Sequence, residues 1–488
     1  MVRSCNGKGI ETMVQESKYK YLAKNTLLFT ISSFGSKLLV FLLVPLYTSI
    51  LSTADYGIAD LITTTSSLAI YVFSINIQDA VLRFVIDGNK DRDKYLSYGI
   101  RVLLVGSIAF AATVFVAAKL NIFKWEKYCY VFLFINYFFV ALYHILSNYL
   151  RAIDKVKAVA ISGIIMTAVT VLLNILLLVV VKWGIVGYLL SMVAGAFAAS
   201  FYCSIQIRIP MIQLLKMDCE KTSRKAMRSF SIPLIFNGVA WWMNNSIDKY
   251  FVTAICGAAL NGIYAVSYKI PTILTVFHNI FAQAWNLSAI KEFDKDDSDG
   301  FFSNTYTMYN SMLVIICSGL ILANIPLAHL LFAKDFFVAW QYSSVLLISI
   351  VFSALSGFLG SIFTAVKDSK VFAVSTIVSA ATNCILNTIL IPRFEVQGAA
   401  IATCISFFMI WLIRLICTRK YIKWRINLFR DTVAYILLVL QVVIEHLDGH
   451  VYIGQIAIVI VLLALYREQF VKAIKMVFAK MQVVLRNQ

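Results

Sequence analysis

Charge is scarce in this chain. Of its 488 residues only 14% are Asp, Glu, Lys or Arg, against 60% hydrophobic, and the mean hydropathy is +0.81. No soluble globular domain has that balance. Acid is scarcer than base, 25 residues against 43, and histidine (5), proline (6) and cysteine (9) are also few. The cysteines are scattered, mostly inside apolar runs and never as CxxC, so they form neither a disulfide framework nor a metal site. No GxxxxGK[ST] loop occurs, which excludes nucleotide hydrolysis by that route. The apolar runs are continuous and do not alternate with polar residues, which excludes a β-barrel.

What is present is a series of apolar runs, each about twenty residues long. They predict spans at 26–51, 57–82, 96–118, 128–149, 158–181, 184–207, 229–255, 259–286, 304–332, 340–366, 370–391, 397–413, 431–446 and 451–466. The class is an all-α polytopic membrane protein with about fourteen transmembrane helices. The formal charge of +18 does not point to nucleic acid. With the N-terminus inside, about 34 Lys/Arg fall in cytoplasmic segments, about 6 outside and about 3 within spans, a positive-inside distribution. Basic clusters at Lys221, Arg224, Lys225 and Arg228, and at Arg419, Lys420, Lys423 and Arg425, suit anionic lipid headgroups. The polar first 24 residues precede span 1 without a cleavable signal peptide.

The chain repeats itself. Thr48–Ile58 matches Thr253–Ile263 at Thr, Ile, Ala, Gly and Ile, with an offset of about 205 residues. Ala152, Lys157 and Ala160 match Ala365, Lys370 and Ala373, and Leu173-Asn174 with Leu177 matches Leu386-Asn387 with Leu390, at an offset of about 213. An even number of spans per repeat, about six, gives parallel halves, which place a substrate site at their interface and work by alternating access. The expected organisation is a cytoplasmic segment 1–24, a first half 25–207, a cytoplasmic linker 208–228 and a second half 229–418. Two extra helices and a cytoplasmic tail, 419–488, follow. The two six-helix halves would enclose a central cavity.

Every loop is short, so any chemistry belongs inside the bundle. Lys37 lies midway along span 1, where a lysine costs roughly 2.5–3.5 kcal/mol on insertion scales. Lys269 lies at similar depth in span 8. Neither has an acid one turn away on its own helix. Lys249 and Arg83 are basic, and Asp60, Asp79 and Asp248 acidic, on the same first two spans of each half. Asp79 and Arg83, spaced i,i+4, suit a mutual pair near the inner surface, and Lys249 is placed to snorkel. Span 7 carries Asn237, Trp241, Asn244 and Asp248 on one face. Span 2 carries Asp60, Thr64, Ser67, Tyr71, Ser74 and Gln78, and span 8 Asn261, Tyr264, Tyr268, Thr272, Thr275 and Asn279. Such stripes read either as interhelical glue or as the lining of a wet cavity. Lysine supplies a point charge for phosphate, and Trp241, Trp242, Tyr264 and Tyr268 supply faces for sugar rings. Pro45, Pro233 and Pro271 interrupt spans 1, 7 and 8, as hinges or as tolerated breaks. His144 and His278 read as hydrogen-bonding core residues rather than proton carriers.

These residues carry a resemblance. The stretch from Asn25 to Asp60, with Pro45-Leu-Tyr-Thr-Ser-Ile-Leu and Asp55-Tyr-Gly57, resembles the start of polysaccharide-transporter family flippases. So do Ser231-Ile-Pro233-Leu, Asp248-Lys249, Gly262-Ile-Tyr264, Tyr268-Lys269, Leu386-Asn387, Ile391-Pro392 and Gly398-Ala-Ala400. The family belongs with the multidrug/oligosaccharidyl-lipid/polysaccharide exporters. The resemblance implies a flippase, not an enzyme, for undecaprenyl-pyrophosphate-linked oligosaccharides destined for O-antigen (lipopolysaccharide), capsule or exopolysaccharide. Its place would be the bacterial inner membrane, with both termini cytoplasmic. Substrate-binding candidates are Lys37, Lys269, Lys249, Arg83, Asp248, Asn244, Trp241 and Tyr268. Coupling to H+ or Na+ would fall to Asp60, Asp79 or Asp248, with no metal or other cofactor. Partners would be the lipid-linked glycan, membrane lipids, and the polymerase and chain-length proteins of the same pathway. The family often has Arg where Lys249 stands, and lysine lacks bidentate pairing with phosphate. Two rivals stay open: a cation-coupled multidrug exporter on the same fold, which calls for an acid in span 1, and a membrane glycosyltransferase or polymerase, which calls for a catalytic outside loop.

Overall fold

In a computed structural model, which describes residues 41–87, 91–366, 368–447 and 451–469, the chain is all helix, with no strand among the described residues. Lys37 and the first half of span 1 lie outside them. In chain order the helices are α1 (Val44–Ile50), α2 (Thr53–Phe73), α3 (Ile77–Asp87), α4 (Arg92–Lys119), α5 (Lys127–Ala152) and α6 (Val156–Asn174). They continue as α7 (Gly184–Ile207), α8 (Met211–Lys216), α9 (Lys221–Cys256), α10 (Ala258–Ser267), α11 (Lys269–Lys291) and α12 (Phe301–Leu322). The last are α13 (Asn324–Leu331), α14 (Trp340–Ala365), α15 (Ser369–Thr418), α16 (Leu428–Glu445) and α17 (Val451–Leu465). Among the described residues seven helices are long and apolar enough to cross a membrane, and eight if the bent pair α2–α3 is one span. Predicted spans 11 and 12 are the two arms of α15, which meet at a kink at Glu395 (φ 48°, ψ −129°). Predicted span 8 is divided between α10 and α11. Span 7 lies within the 36-residue α9, whose Asn237, Asn244, Asn245, Asp248 and Lys249 reduce its apolarity.

The breaks have local causes. Pro45 falls in the first turn of α1, where a missing N–H costs nothing. Pro271 falls in the first turn of α11 and cannot bond back to the Ser267 carbonyl. That carbonyl instead accepts a hydrogen bond from Ser343 Oγ at 2.9 Å. Between α2 and α3 the axis bends by 54°, and both Ile75 (φ 47°) and Asn76 (φ 51°) occupy the left-handed region. Neither is glycine, so this break stores strain of about 1–3 kcal/mol per residue. Gly398 permits the sharp return in α15, since a Cβ there would sit 2.5 Å from the Leu390 carbonyl oxygen.

The helices pack as two units: Leu61–Val239, and Val44–Asp60 with the chain from Ala240 onward. In the first, Phe110 stacks among Phe73, Phe134 and Tyr137. Arg101 ties α4 to the end of α8 and the segment after it, donating to Asp218 and to the Leu215 and Met217 carbonyls. In the second, Trp285 lies parallel to Phe358 at 4.0 Å and Phe281 to Tyr309 at 3.9 Å. His278 Nδ1 bonds the Tyr309 hydroxyl at 2.6 Å, the core role read from sequence. The C-terminal helices are held by buried polar contacts. Gln441 of α16 meets Ser318, Glu445 meets Asn324 and Ser344, and Asp431 meets Tyr466. In an apolar solvent such contacts hold helices together without a hydrophobic drive.

The repeat is visible as symmetry inside the second unit. The starts of α2 and α10 cross at two glycines. A Cβ on Gly57 would lie 2.0 Å from the Ala258 carbonyl oxygen, and one on Gly262 would lie 1.9 Å from that of Thr53. Both pairs are related by the offset of about 205 found in the sequence. Asn261 Nδ2 adds a 3.0 Å bond to the Gly57 carbonyl.

Candidate functional site

The second unit gathers most of the charged candidates. Asp60, on α2, accepts a 2.9 Å bond from Lys249 Nζ, on α9, with both side chains about five-sixths buried (16% and 17% exposed). Lys269, at the α10–α11 break, places its Nζ 5.7 Å from the centre of the Tyr56 ring, a cation–π distance, and is within electrostatic reach of Asp60. Lys249 is therefore not a bare cation awaiting phosphate, and it pairs across helices rather than snorkelling. Its local charge is offset, and Lys269 keeps an aromatic partner. A lysine at this depth is stabilised by such partners and not by lipid.

Asp248, the neighbour of Lys249, is buried (2% exposed) and turns to a different set of groups. Its Oδ2 accepts from the Tyr264 hydroxyl, from Tyr268 at 3.2 Å and from Thr403 at 3.1 Å. Its Oδ1 accepts from the Lys249 backbone N–H at 3.0 Å. Asn383 donates to Thr403, and Asn387 to Asn383. Asn387 Oδ1 is buried without a hydrogen-bond partner among the described residues. The carboxylate thus sits in a cage of neutral hydroxyls and amides. Tyr264 and Tyr268 act here as hydrogen-bond donors, their rings edge to face at 5.2 Å.

Other candidates fall elsewhere. Asn244 is buried and donates to the Thr376 carbonyl at 3.1 Å, an interhelical contact within the second unit. Trp241 is 61% exposed, whereas its neighbour Trp242 is buried against Tyr250. The span 7 stripe is therefore divided, with Asn237 and Trp241 open and Asn244 and Asp248 enclosed. Asp79 and Arg83 belong to the first unit and do not form the expected pair. Asp79 sits in the first turn of α3 and accepts from Asn76 at 2.7 Å, while Arg83 reaches Asp87 at 3.3 Å, both exposed. The α2–α3 break sets this partition, because Asn76 precedes Asp79 by three residues and occupies its carboxylate. Thr403 and Asn383 were not singled out in the sequence. Their signal was the i,i+4 amide pair Asn383/Asn387 inside an apolar run.

Paired charges on apolar helices and broken helices are features of helical transporters, and comparison with known proteins agrees. The coordinates resemble the lipid II flippase MurJ in an inward closed conformation (TM-score 0.68, 15% identity, 92% of this chain and 99% of that one). They also resemble an inward-facing multidrug resistance MATE transporter of the MOP superfamily (TM-score 0.64, 10% identity, 82% and 95%). At these identities the likeness is one of fold. In sequence, the chain is 24% identical over 447 residues to an uncharacterised membrane protein of Methanocaldococcus jannaschii, covering 82% of this chain and 99% of that protein. It is 27% identical over 208 residues to the probable low-salt glycan biosynthesis flippase Agl15 of Haloferax volcanii, covering 40% of this chain and 42% of that one. Residues 22–286 match the polysaccharide biosynthesis protein family, and the chain belongs to it.

Proposed function

We propose that this protein is a flippase, a transporter and not an enzyme, that moves a lipid-linked glycan across the membrane by alternating access. The observation that carries the reading is the family match, which spans the helices bearing Asp60, Lys249 and Lys269. The finer reading is an undecaprenyl-pyrophosphate carrier in a bacterial inner membrane, with both termini cytoplasmic, feeding O-antigen, capsule or exopolysaccharide synthesis. The polymerase and chain-length proteins of that pathway would be its partners. Lys37 and Lys269 take the pyrophosphate. Lys249 joins them when its bond to Asp60 opens.

Coupling to H+ or Na+ is assigned to Asp248, because its partners are neutral and Asn387 leaves an amide oxygen unused beside that network. Asp60 and Asp79 already hold Lys249 and Asn76. The test is complementation of a deletion strain. Wild-type protein clears lipid-linked glycan from the cytoplasmic face, and Lys37→Ala and Lys269→Ala at normal expression let it accumulate. Export at the wild-type rate by both variants would remove the cationic site from the mechanism.

A further inference from the structure

The first unit contains a cavity of about 600 Å³, and of the charged candidates only Asp79 lines it. It lies within the range of roughly 300–1,000 Å³ typical of small-molecule sites. Thirteen of the seventeen residues lining it carry a polar group, set in a wall whose surface is mostly apolar, the mixed lining of a small-molecule site. The α2–α3 break forms one wall. Non-helical backbone at membrane depth is tolerated where it lines such a cavity, and broken helices are where transporters build binding sites. The break is locked from behind by Gly106, where a Cβ would lie 1.9 Å from the Phe73 carbonyl oxygen. α5 forms the opposite wall with Asn136, His144, Asn148 and Arg151. His144 lines this space and, among the described residues, makes no hydrogen bond of the kind read from its sequence context. Tyr71 supplies an aromatic face, and its ring is seated against Gly238, where a Cβ would lie 2.4 Å away.

Resting on the flippase reading above, we infer that this cavity binds the sugar portion of the transported lipid-linked glycan. Amides that donate and accept, hydroxyls and one ring face suit a polyhydroxylated ligand. Of the lining residues Arg151 suits a phosphate, but at the α3 end a phosphate is the poorer fit. The N-terminus of α3, which would attract it, already carries Asp79 in its first turn, and that carboxylate offsets the helix dipole.

The test uses the full-length protein in lipid nanodiscs with one added thiol, Thr167→Cys on the cavity wall, and follows its reaction with a water-soluble maleimide over the wild-type background. Two probes are compared: free oligosaccharide released by mild acid from the expressing cell's lipid-linked glycan, and polyprenyl phosphate. The oligosaccharide slows labelling at least fivefold, and Asn136→Leu removes that protection without changing the rate in the absence of sugar. Thr170→Val serves the same purpose if Asn136→Leu does not fold. Protection by polyprenyl phosphate alone, or by neither probe, overturns the sugar site. The flippase reading is judged separately by glycan accumulation in the deletion strain. Accumulation without protection rejects the sugar site alone, and protection without accumulation rejects the flippase reading while keeping the site.

Discussion

The crossing of Gly57 and Gly262 offers the sharpest test of how the two repeats meet. In Gly262→Ala the new methyl would sit 1.9 Å from the Thr53 carbonyl oxygen, and in Gly57→Ala 2.0 Å from that of Ala258. Contacts under 3.0 Å essentially never occur, so the helix starts must part by about 1 Å or more in an interior packed like a crystal. Overpacking of this kind costs about 1–3 kcal/mol. If transport requires these ends to separate, that cost falls on the closed state only. It then shifts the population roughly 5- to 150-fold toward the separated one. The assay is labelling of Asn261→Cys by a membrane-impermeant maleimide added outside, since Asn261 is wholly buried here. Asn261→Cys alone stays protected, and either alanine variant exposes it to a similar degree, because the two clashes are related by the repeat. Unchanged labelling together with an unchanged melting temperature would refute the reasoning. Labelling in only one of the two variants would refute the symmetry.

Asp60→Asn leaves Lys249 partly buried without its carboxylate. A fully buried pair broken on one side loses about 3–5 kcal/mol, so with about one-sixth of each side chain exposed the loss is about 2–3 kcal/mol, read as a lower melting temperature in detergent. The double variant Asp60→Leu/Lys249→Met recovers most of it. Ser343→Ala removes the donor that satisfies the Ser267 carbonyl beside Pro271, and a buried acceptor left bare costs about 1–3 kcal/mol. Unfolding measurements that match wild type would show that another group takes its place. Between α14 and α15, the Tyr421 hydroxyl and the Val371 backbone N–H hold the Asp368 carboxyl below its ordinary value. A lowered folded-state value means that the stabilisation is present at neutral pH and is lost as pH falls through and below the usual carboxylate range. Asp368→Asn flattens that part of a stability–pH curve. The same bond raises the Tyr421 hydroxyl, a contribution lost only in strong alkali.

Much of the scaffold was legible because lipid imposes a simple rule. Long apolar runs must be helices, and the repeat offset identified the two glycine positions that the fold brings together. Spans 11 and 12 were legible as two helices: the polar interval around Arg393–Glu395 marks the kink, where Glu395 leaves helical geometry (φ 48°, ψ −129°). The partners of the charged residues were much less legible. Asp79 and Arg83 have the spacing of a helical pair, yet a two-residue break upstream places Asn76 on Asp79 and leaves Arg83 to Asp87. Asp60 and Lys249 are 189 residues apart, and no local pattern announces their contact. Span 7 was read as one uniform face. Neighbouring helices cover only its upper part, which separates Asn244 and Asp248 from Trp241.

The symmetry is one of backbone packing and not of chemistry, and the difference bears on mechanism. Counting back by about 205 residues, the position of Lys249 is held by Val44, that of Asp248 by Leu43 and that of Lys269 by Thr64, while Asp60 corresponds to Ala265. The breaks do not correspond either. α2 breaks after Phe73, beside the polar cavity of the first unit, whereas its counterpart breaks at Tyr268, beside Lys269. A duplicated scaffold that needed only rigidity would have no use for breaks at unequal depths, since each costs backbone hydrogen bonds. Unequal breaks make sense if the repeats have different roles. On the proposed reading these are recognition of neutral sugar rings at the cavity and of the charged linkage at the lysines. That division makes a separable prediction. Cavity variants such as Asn136→Leu weaken selection among glycans while leaving the response to the lipid phosphate intact. Lys269→Ala does the reverse, lowering transport of every glycan alike. If both variants changed the same property, the division of roles would be wrong and the unequal breaks would need another cause.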